Sequence, residues 1–546
     1  MAEALTEVKQ LPARVSIITH DQPFDLVMIG AGMGGSIAAA RCAAAGARVL
    51  VLEAGHGPVA ALRPRGLMAR LRAAPVDDGE RWPTQLIMRR REGARAVEVN
   101  AVLGMGPGGS GRIYGAALGR ARRWDFETDN QPHQWDAGGE TALPNAWPVA
   151  YDDFLTAYRE AERLLAPVGT RDPTDPDDDA DLAPPPPLSP AHEAIVARLQ
   201  ANGRHPFRMH VGIAYRPGCS ECQGSTCLRD CKAHGFNRAL APALAAGAPV
   251  TLQRGAMVRR LRRLPEGWAV DYVAASGEET SVTARAVVLA GGALNSPRVL
   301  QASGELWGGA VPDLIGRGLM FHASEIFAVA APEGHSLHGP RKVIAMRDHY
   351  ASGAMPLAEC QSLGMVGKAG MITSFLNDKL RQIGIDAGVA GRVLLRPVGA
   401  VAERIFARSE LFTAALQDLP YADNRVTTEV DAEGVERIAV TYRPRGELIA
   451  RARHFRGLMR EAFSPLNVRF LTAPGEPNLG HPMGTCRMGH DPESSVVDGF
   501  GEVWGQPGLF VADASVFPSS LGINPALTVA AHAIRVSARV GERLAL

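Results

Sequence analysis

The stretch FDLVMIGAGMGGSIAAARCAAAGARVLVLEAG, residues 24–55, constrains the fold more than any other. An apolar run at 24–30 leads straight into Gly30-Ala31-Gly32-Met33-Gly34-Gly35. Gly30, Gly32 and Gly35 fit G-x-G-x-x-G: the first glycine permits a tight turn, the second lets backbone approach a pyrophosphate, and the third lets helix pack close on strand. The alanine-rich segment that follows predicts a helix seated tightly on a sheet, its N-terminal N–H groups directed at an anion. Glu53 follows eighteen residues after Gly35, at the end of the next strand, where a carboxylate can accept from ribose hydroxyls. That acid argues against a 2′-phosphate and hence against NADP; the fingerprint alone leaves FAD and NAD open.

Four apolar runs, at 24–30, 48–55, 284–292 and 508–515, predict buried strands of a parallel sheet covered on both faces. They lie far apart along the chain, so the domain around that sheet is expected to be discontinuous. The segment DPTDPDDDADLAPPPPLSP, 172–190, can form neither helix interior nor central strand and reads as an exposed connection between lobes. Lys and Arg total 58 against 57 for Asp and Glu, a balance that offers no footprint for nucleic acid. The first twenty residues lack an apolar leader and a twin-arginine pair, and no apolar run reaches the roughly 18–20 residues of a membrane span. The expectation is a cytoplasmic enzyme without an integral membrane segment.

Towards the C-terminus stand GHPMGTCRMGHD, which contains His481, and GLFVADASVFPSSLGINPALTVAAHAIRVSARV. In the second, Asn524 and Pro525 read as the N-cap and first residue of a closing helix. With PGGSGRIYGAAL, AWPVAYDDFLTAYREAE, VLAGGALNSPRVLQASG and LPYADNRVTTEV, these motifs make the chain resemble the glucose–methanol–choline (GMC) flavoprotein oxidoreductases over nearly its whole length. The resemblance implies an α/β fold: a Rossmann-like FAD-binding domain in segments 20–135, 216–309 and 481–546, and an antiparallel-sheet substrate domain in 136–215 and 310–480. It implies that FAD is the cofactor, held by Gly30, Gly32, Gly35, Glu53, Gly108, Gly109, Asp513 and Pro525. Some members attach the flavin through a histidine in the GGS segment; PGGSGRIYGAA has none, so non-covalent FAD is expected. Tyr114 stands where Asn or His is common in that loop.

The family motif H-x-x-G-T-C falls on His481–Cys486, and the family's second active-site position falls on Asn524. Oxidation of an alcohol removes a hydroxyl proton and a hydride from one carbon. An imidazole titrates close enough to neutral pH to take the proton. The resemblance therefore implies His481 as general base, Asn524 as the group holding the substrate oxygen, flavin N5 as hydride acceptor and a small-molecule alcohol as substrate. The electron acceptor, oxygen or an electron-transfer protein, stays open. Two other readings compete: a non-redox flavoprotein of the same scaffold, lyase or decarboxylase, and a binding protein with a vestigial flavin site, against which the intact glycines and His481 speak. His322 reads as a structural position.

CSECQGSTCLRDCK, 219–232, holds four of the seven cysteines. Cys219, Cys222, Cys227 and Cys231 give C-x2-C-x4-C-x3-C, a spacing short enough to wrap an iron–sulfur cluster. Zinc ranks lower, because only one C-x2-C is present. Two disulfides suit an exported protein, which the N-terminus does not suggest. The segment resembles the cysteine loop of cluster-bearing GMC dehydrogenases, except that CKAHG stands where those have proline and glycine after the last cysteine. Iron–sulfur ranks slightly ahead of metal-free cysteines, and both stay open.

Overall fold

The computed structural model describes residues 16–17, 23–55, 85–129, 131, 134, 141–307, 311–365, 369–382, 388–406, 408–430 and 436–546. Residues 1–15, on which the reading of an absent leader largely rests, lie outside the described residues. No helix among the described residues is long and apolar enough to cross a membrane.

The glycine fingerprint lies in an eight-stranded sheet. Strand β1 (Phe24–Ile29) runs into helix α1 (Met33–Ala44) and then β2 (Val49–Glu53). β1 pairs in parallel with β2 on one side and with β3 (Glu279–Leu289) on the other. Val250–Arg254 extends the parallel half beyond β2, and Leu509–Val511 pairs in parallel with β3. All four strands read from apolar runs are in this sheet. Its other half is antiparallel: Trp268–Val273 and Met257–Arg263 continue outward from β3. α1 and the closing helix, which runs from Ala526 to Leu544, pack against each other on one face; Arg41 Nε donates to Ser537 Oγ at 2.9 Å.

A second sheet of six strands is antiparallel throughout, in the order 468–470, 323–330, 409–416, 360–362, 344–346, 207–208. Its core stacks Phe327, Phe412 and Phe463 beneath the helix Gly446–Ala462. A smaller four-stranded sheet joins 425–430, 436–441, 85–89 and 97–100.

The acidic segment is not a free connection. Asp172 is buried and accepts from Arg122 at 2.7 Å, Asp177 accepts from Arg123 at 2.9 Å, and Asp179 accepts from Arg120 and Arg159. Its aspartates are drawn onto arginines of neighbouring segments, where each carboxylate finds charge-assisted hydrogen bonds. The prolines still exclude helix and strand, until Ser189 caps the helix Pro190–Ala201.

Candidate active site

The glycine turn shows what each of its glycines is for. Gly30 has φ +102°, and a Cβ there would stand 2.5 Å from Ala290 O. A Cβ on Gly35 would stand 2.0 Å from Gly30 O, so helix and strand touch through bare backbone. Gly32 differs: no atom lies within 4 Å of the place its Cβ would occupy. It faces open space at the N-terminus of α1, which no side chain caps. Free N–H groups beside an open glycine fit the pyrophosphate of a dinucleotide.

A second glycine loop is latched onto the first. Gly108 (φ +99°) donates its N–H to Ala31 O at 2.7 Å, and a Cβ on Gly109 would stand 3.0 Å from Gly32 Cα. Glu53 fastens the two loops together: Oε2 accepts from Ala31 N at 2.8 Å, while Oε1 accepts from Gly55 N at 2.8 Å and Gly106 N at 3.2 Å. Burial pushes its pKa up, and these three N–H bonds oppose the shift. Glu53 therefore has a structural role, and only Oε2 keeps a lone pair to spare for the ribose expected of it from the sequence. Asp513 likewise bridges segments, accepting from Gly292 N and Ser296 Oγ through Oδ2 and from Ser515 N through Oδ1. Tyr114 turns its hydroxyl away to donate to Ala233 O.

His481 is placed by backbone pairing. Met320 and Met483 exchange two hydrogen bonds of 3.0 Å, Asn478 N donates to His322 O, and His481 N donates to Asn478 O. These bonds bring two imidazoles together, Nδ1 to Nδ1 at 3.0 Å with rings 86° apart. His322 Nε2 faces only carbonyls, Ser520 O at 2.8 Å and Leu521 O at 3.1 Å, so it must carry the proton and donate. Burial pushes His322 down to about 4, which keeps the ring neutral and leaves Nδ1 a bare acceptor. His481 must then donate from Nδ1, and its Nε2 is left with a lone pair. Burial above all, with the charge of Lys342, pushes His481 down to about 3. His322 thus fixes the tautomer that a base at His481 requires. Sequence reading left it as a structural position because nothing in GLMFHAS reveals its partner 159 residues away.

Asn524 corrects another expectation. It is not a side-chain cap: the closing helix begins at Ala526 with Pro525 as its cap residue and no side-chain cap bond. Asn524 Oδ1 instead accepts from Gln361 Nε2. That fixes the amide so that its nitrogen is the donor left over, one that can hold a substrate oxygen. Pro525 carries no side-chain donor and ends the turn just before the helix. Gln361 was not foreseen; it lies on the substrate-side sheet and its pairing with Asn524 is long-range.

The cysteine loop lacks the geometry of a cluster. Cys219, Cys222, Cys227 and Cys231 are free thiols, and among the described residues no three His, Cys, Asp or Glu side chains stand where they could hold one metal ion. The tentative iron–sulfur assignment is therefore not supported. The loop is closed from within by Lys232, buried, whose ammonium donates to Cys222 O at 2.9 Å, Ser225 O at 2.8 Å and Tyr114 O at 3.1 Å. Backbone carbonyls gathered on an ammonium hold the shape that sulfurs gathered on iron would otherwise impose.

Comparison with known proteins matches this architecture. GMC oxidoreductase models match residues 203–324 and 420–533, and an NAD(P)-binding Rossmann-like domain model matches 28–65. Paromamine 6'-oxidase of Streptomyces fradiae is 30% identical over 96% of this chain and 92% of its own length. The 6'''-hydroxyparomomycin C oxidase of Streptomyces lividus is 28% identical over 96% and 93%. Among solved structures, pyridoxine 4-oxidase from Mesorbium loti aligns with a TM-score of 0.59 at 20% identity, covering 94% of this chain and 99% of that one, a likeness of fold. A formate oxidase aligns with a TM-score of 0.60 at 17% identity, covering 95% and 98%. The chain belongs to the GMC oxidoreductase family. It is an FAD-dependent oxidoreductase acting on CH–OH groups.

Proposed function

We propose that this chain oxidises a hydroxyl of a small molecule to a carbonyl, with His481 as the base and FAD bound without a covalent link. The observation that carries the reading is the imidazole pair, which leaves His481 Nε2 unprotonated. Asn524 Nδ2 donates to the substrate oxygen and orients it. His481 Nε2 takes the hydroxyl proton, and the resulting imidazolium keeps its Nδ1–H on His322. Bound FAD would supply the acceptor for the hydride of the same carbon. Gly30, Gly32, Gly35, Gly108 and Gly109 form its cradle, Asp513 and Glu53 brace that cradle, and the domain limits given above enclose it. Both relatives are oxidases, which supports oxygen as acceptor, reduced by two electrons and two protons to hydrogen peroxide.

The test is anaerobic bleaching of the flavin by a panel of primary and secondary alcohols. Wild type is expected to bleach and His481→Ala to bleach at least about 10²-fold more slowly with FAD still bound. Equal rates overturn the assignment of the base. Acid precipitation is expected to leave the flavin in the supernatant.

A further inference from the structure

Among the described residues the cysteine loop offers no metal site, but two of its thiols are set against each other. Cys231 N donates to Cys227 Sγ at 3.3 Å, and the two thiols hydrogen-bond to one another. The turn between them brings this about. Asp230 N closes it on Cys227 O at 3.0 Å, and Asp230 takes φ +52°, a left-handed conformation that a short polar side chain tolerates. Cys231 thereby faces back on Cys227. Cys222 also meets the Cys227 thiol, but through its sulfur alone, and its backbone is held by Lys232 on Cys222 O.

The two ends of the turn differ in exposure. Cys231 is 1% exposed, Cys227 is half-buried, and Leu228 at the tip is 88% exposed. A small oxidant in solution can therefore reach Cys227 ahead of its neighbour. Burial raises the Cys227 thiol, but the N–H groups of Cys231 and Arg229 and the thiols of Cys231 and Cys222 outweigh it and hold the pKa below that of an ordinary thiol. The thiolate is the form that reacts. Away from the loop, burial keeps thiols protonated: it pushes Cys42 up to about 12 and raises Cys360 and Cys486 as well. The turn also lies beside the cofactor cradle. Asp230 Oδ1 accepts from Asn237 Nδ2 at 2.9 Å, and Asn237 Oδ1 accepts from His234 N at 2.9 Å. His234 Nδ1 stands 2.9 Å from the place a Cβ would take on Gly108, so two side chains separate the turn from the second glycine loop.

We propose that Cys227 and Cys231 form an oxidation site, at which hydrogen peroxide closes the turn with a disulfide. The Cys227 sulfur attacks one peroxide oxygen, the O–O bond breaks, and the other oxygen leaves as water. The Cys231 sulfur then attacks the sulfenic acid on Cys227, the S–S bond forms, and the second oxygen leaves as water. Two electrons pass from the sulfurs to the peroxide; two thiols and one peroxide give one disulfide and two waters. That the enzyme itself supplies the peroxide rests on the alcohol-oxidising reading above, with oxygen as acceptor; the chemistry of the pair does not.

The test treats the anaerobic holoenzyme with hydrogen peroxide, quenches with catalase, and counts thiols after unfolding. The count is expected to fall from seven to five and to return to seven after a dithiol reductant. Arg229 lies between the two cysteines, so trypsin parts Met209–Arg229 from Asp230–Lys232, and only a disulfide can join those peptides. Mass spectrometry should find them joined in wild type and in Cys222→Ser, and separate in Cys227→Ser and Cys231→Ser. Seven thiols throughout, a link that survives Cys227→Ser, a link lost in Cys222→Ser, or Cys227 oxidised irreversibly without the link overturns the proposal. A second arm supplies an alcohol and oxygen in place of peroxide, and the same link is expected unless catalase is present. If the flavin turns over without releasing peroxide, oxygen as acceptor fails, while the result with added peroxide still decides the pair.

Discussion

At the scale of single residues, the imidazole pair makes the sharpest claims. His322 touches no substrate; it acts through His481 by accepting from Nδ1. His322→Leu removes the acceptor and lets the wrong tautomer form, and is expected to slow flavin reduction by about 10²-fold. His322→Gln supplies an amide oxygen towards His481 and an N–H towards Ser520 O, and should recover most of the rate. A purely structural role would not be rescued in that order. The pH profile follows from the direction of the shifts. Burial lowers the His481 pKa, and the base is its neutral form, so that form persists as pH falls through the ordinary imidazole value. Anaerobic flavin reduction is therefore expected to show no acid-side inflection near about 6.5, and a fall only well below it. An inflection at the ordinary value that His481→Ala abolishes would sink the assignment.

At the scale of elements, the turn between β1 and α1 separates two roles that a motif lumps together. Gly35→Ala puts a methyl group 2.0 Å from Gly30 O, so it should destabilise the protein itself by roughly 1–3 kcal/mol or more. Gly32→Ala meets nothing within 4 Å, so the apoprotein should melt as wild type does. Its methyl group would instead intrude where a pyrophosphate must come close to backbone. The expected outcome is a protein of unchanged apo melting temperature with a lower ratio of flavin to protein absorbance after purification. If Gly32→Ala retains full FAD, the open space beside it is not the cofactor cradle. The same turn shows why a fingerprint is readable from sequence. Its constraints fall on neighbours, so glycine spacing and strand periodicity carry them directly.

At the scale of the whole molecule, sequence reading succeeded where information is local and failed where it is distant. Four of the parallel strands were visible as unbroken apolar runs; Val250–Arg254, which reads VTLQR, was not. The antiparallel half of the same sheet was not, because Met257–Arg263 reads MVRRLRR, a charged surface strand rather than a core one. His322 and Gln361 are ordinary isolated polar residues until the fold sets them beside His481 and Asn524. The acidic segment looked like linker because composition records charge but not the arginines that receive it. Those arginines matter to the assembly of the molecule. Arg347, 3% exposed, donates from Nε to Glu359 Oε2 at 2.6 Å and lies 3.8 Å from Asp172 and 3.9 Å from Asp175. Arg347→Met would strand those buried carboxylates, and breaking such a pair typically costs about 3–5 kcal/mol. The denaturant midpoint of the holoenzyme should fall accordingly; an unchanged midpoint would mean the acidic segment contributes no stability through this arginine.

Lys232 has a consequence for how the enzyme can be made and handled. A loop organised on iron must be assembled by a supply of metal and sulfide and is dismantled by oxygen or chelators. A loop organised on its own ammonium is complete when the chain leaves the ribosome. Two carbonyls of the loop itself, Cys222 O and Ser225 O, and one of the neighbouring segment, Tyr114 O, gather on its lysine and ask nothing of the medium. Aerobic purification in the presence of a strong chelator should therefore leave flavin content and turnover as they were, and a disulfide reagent should count seven thiols after unfolding, the four of the loop among them.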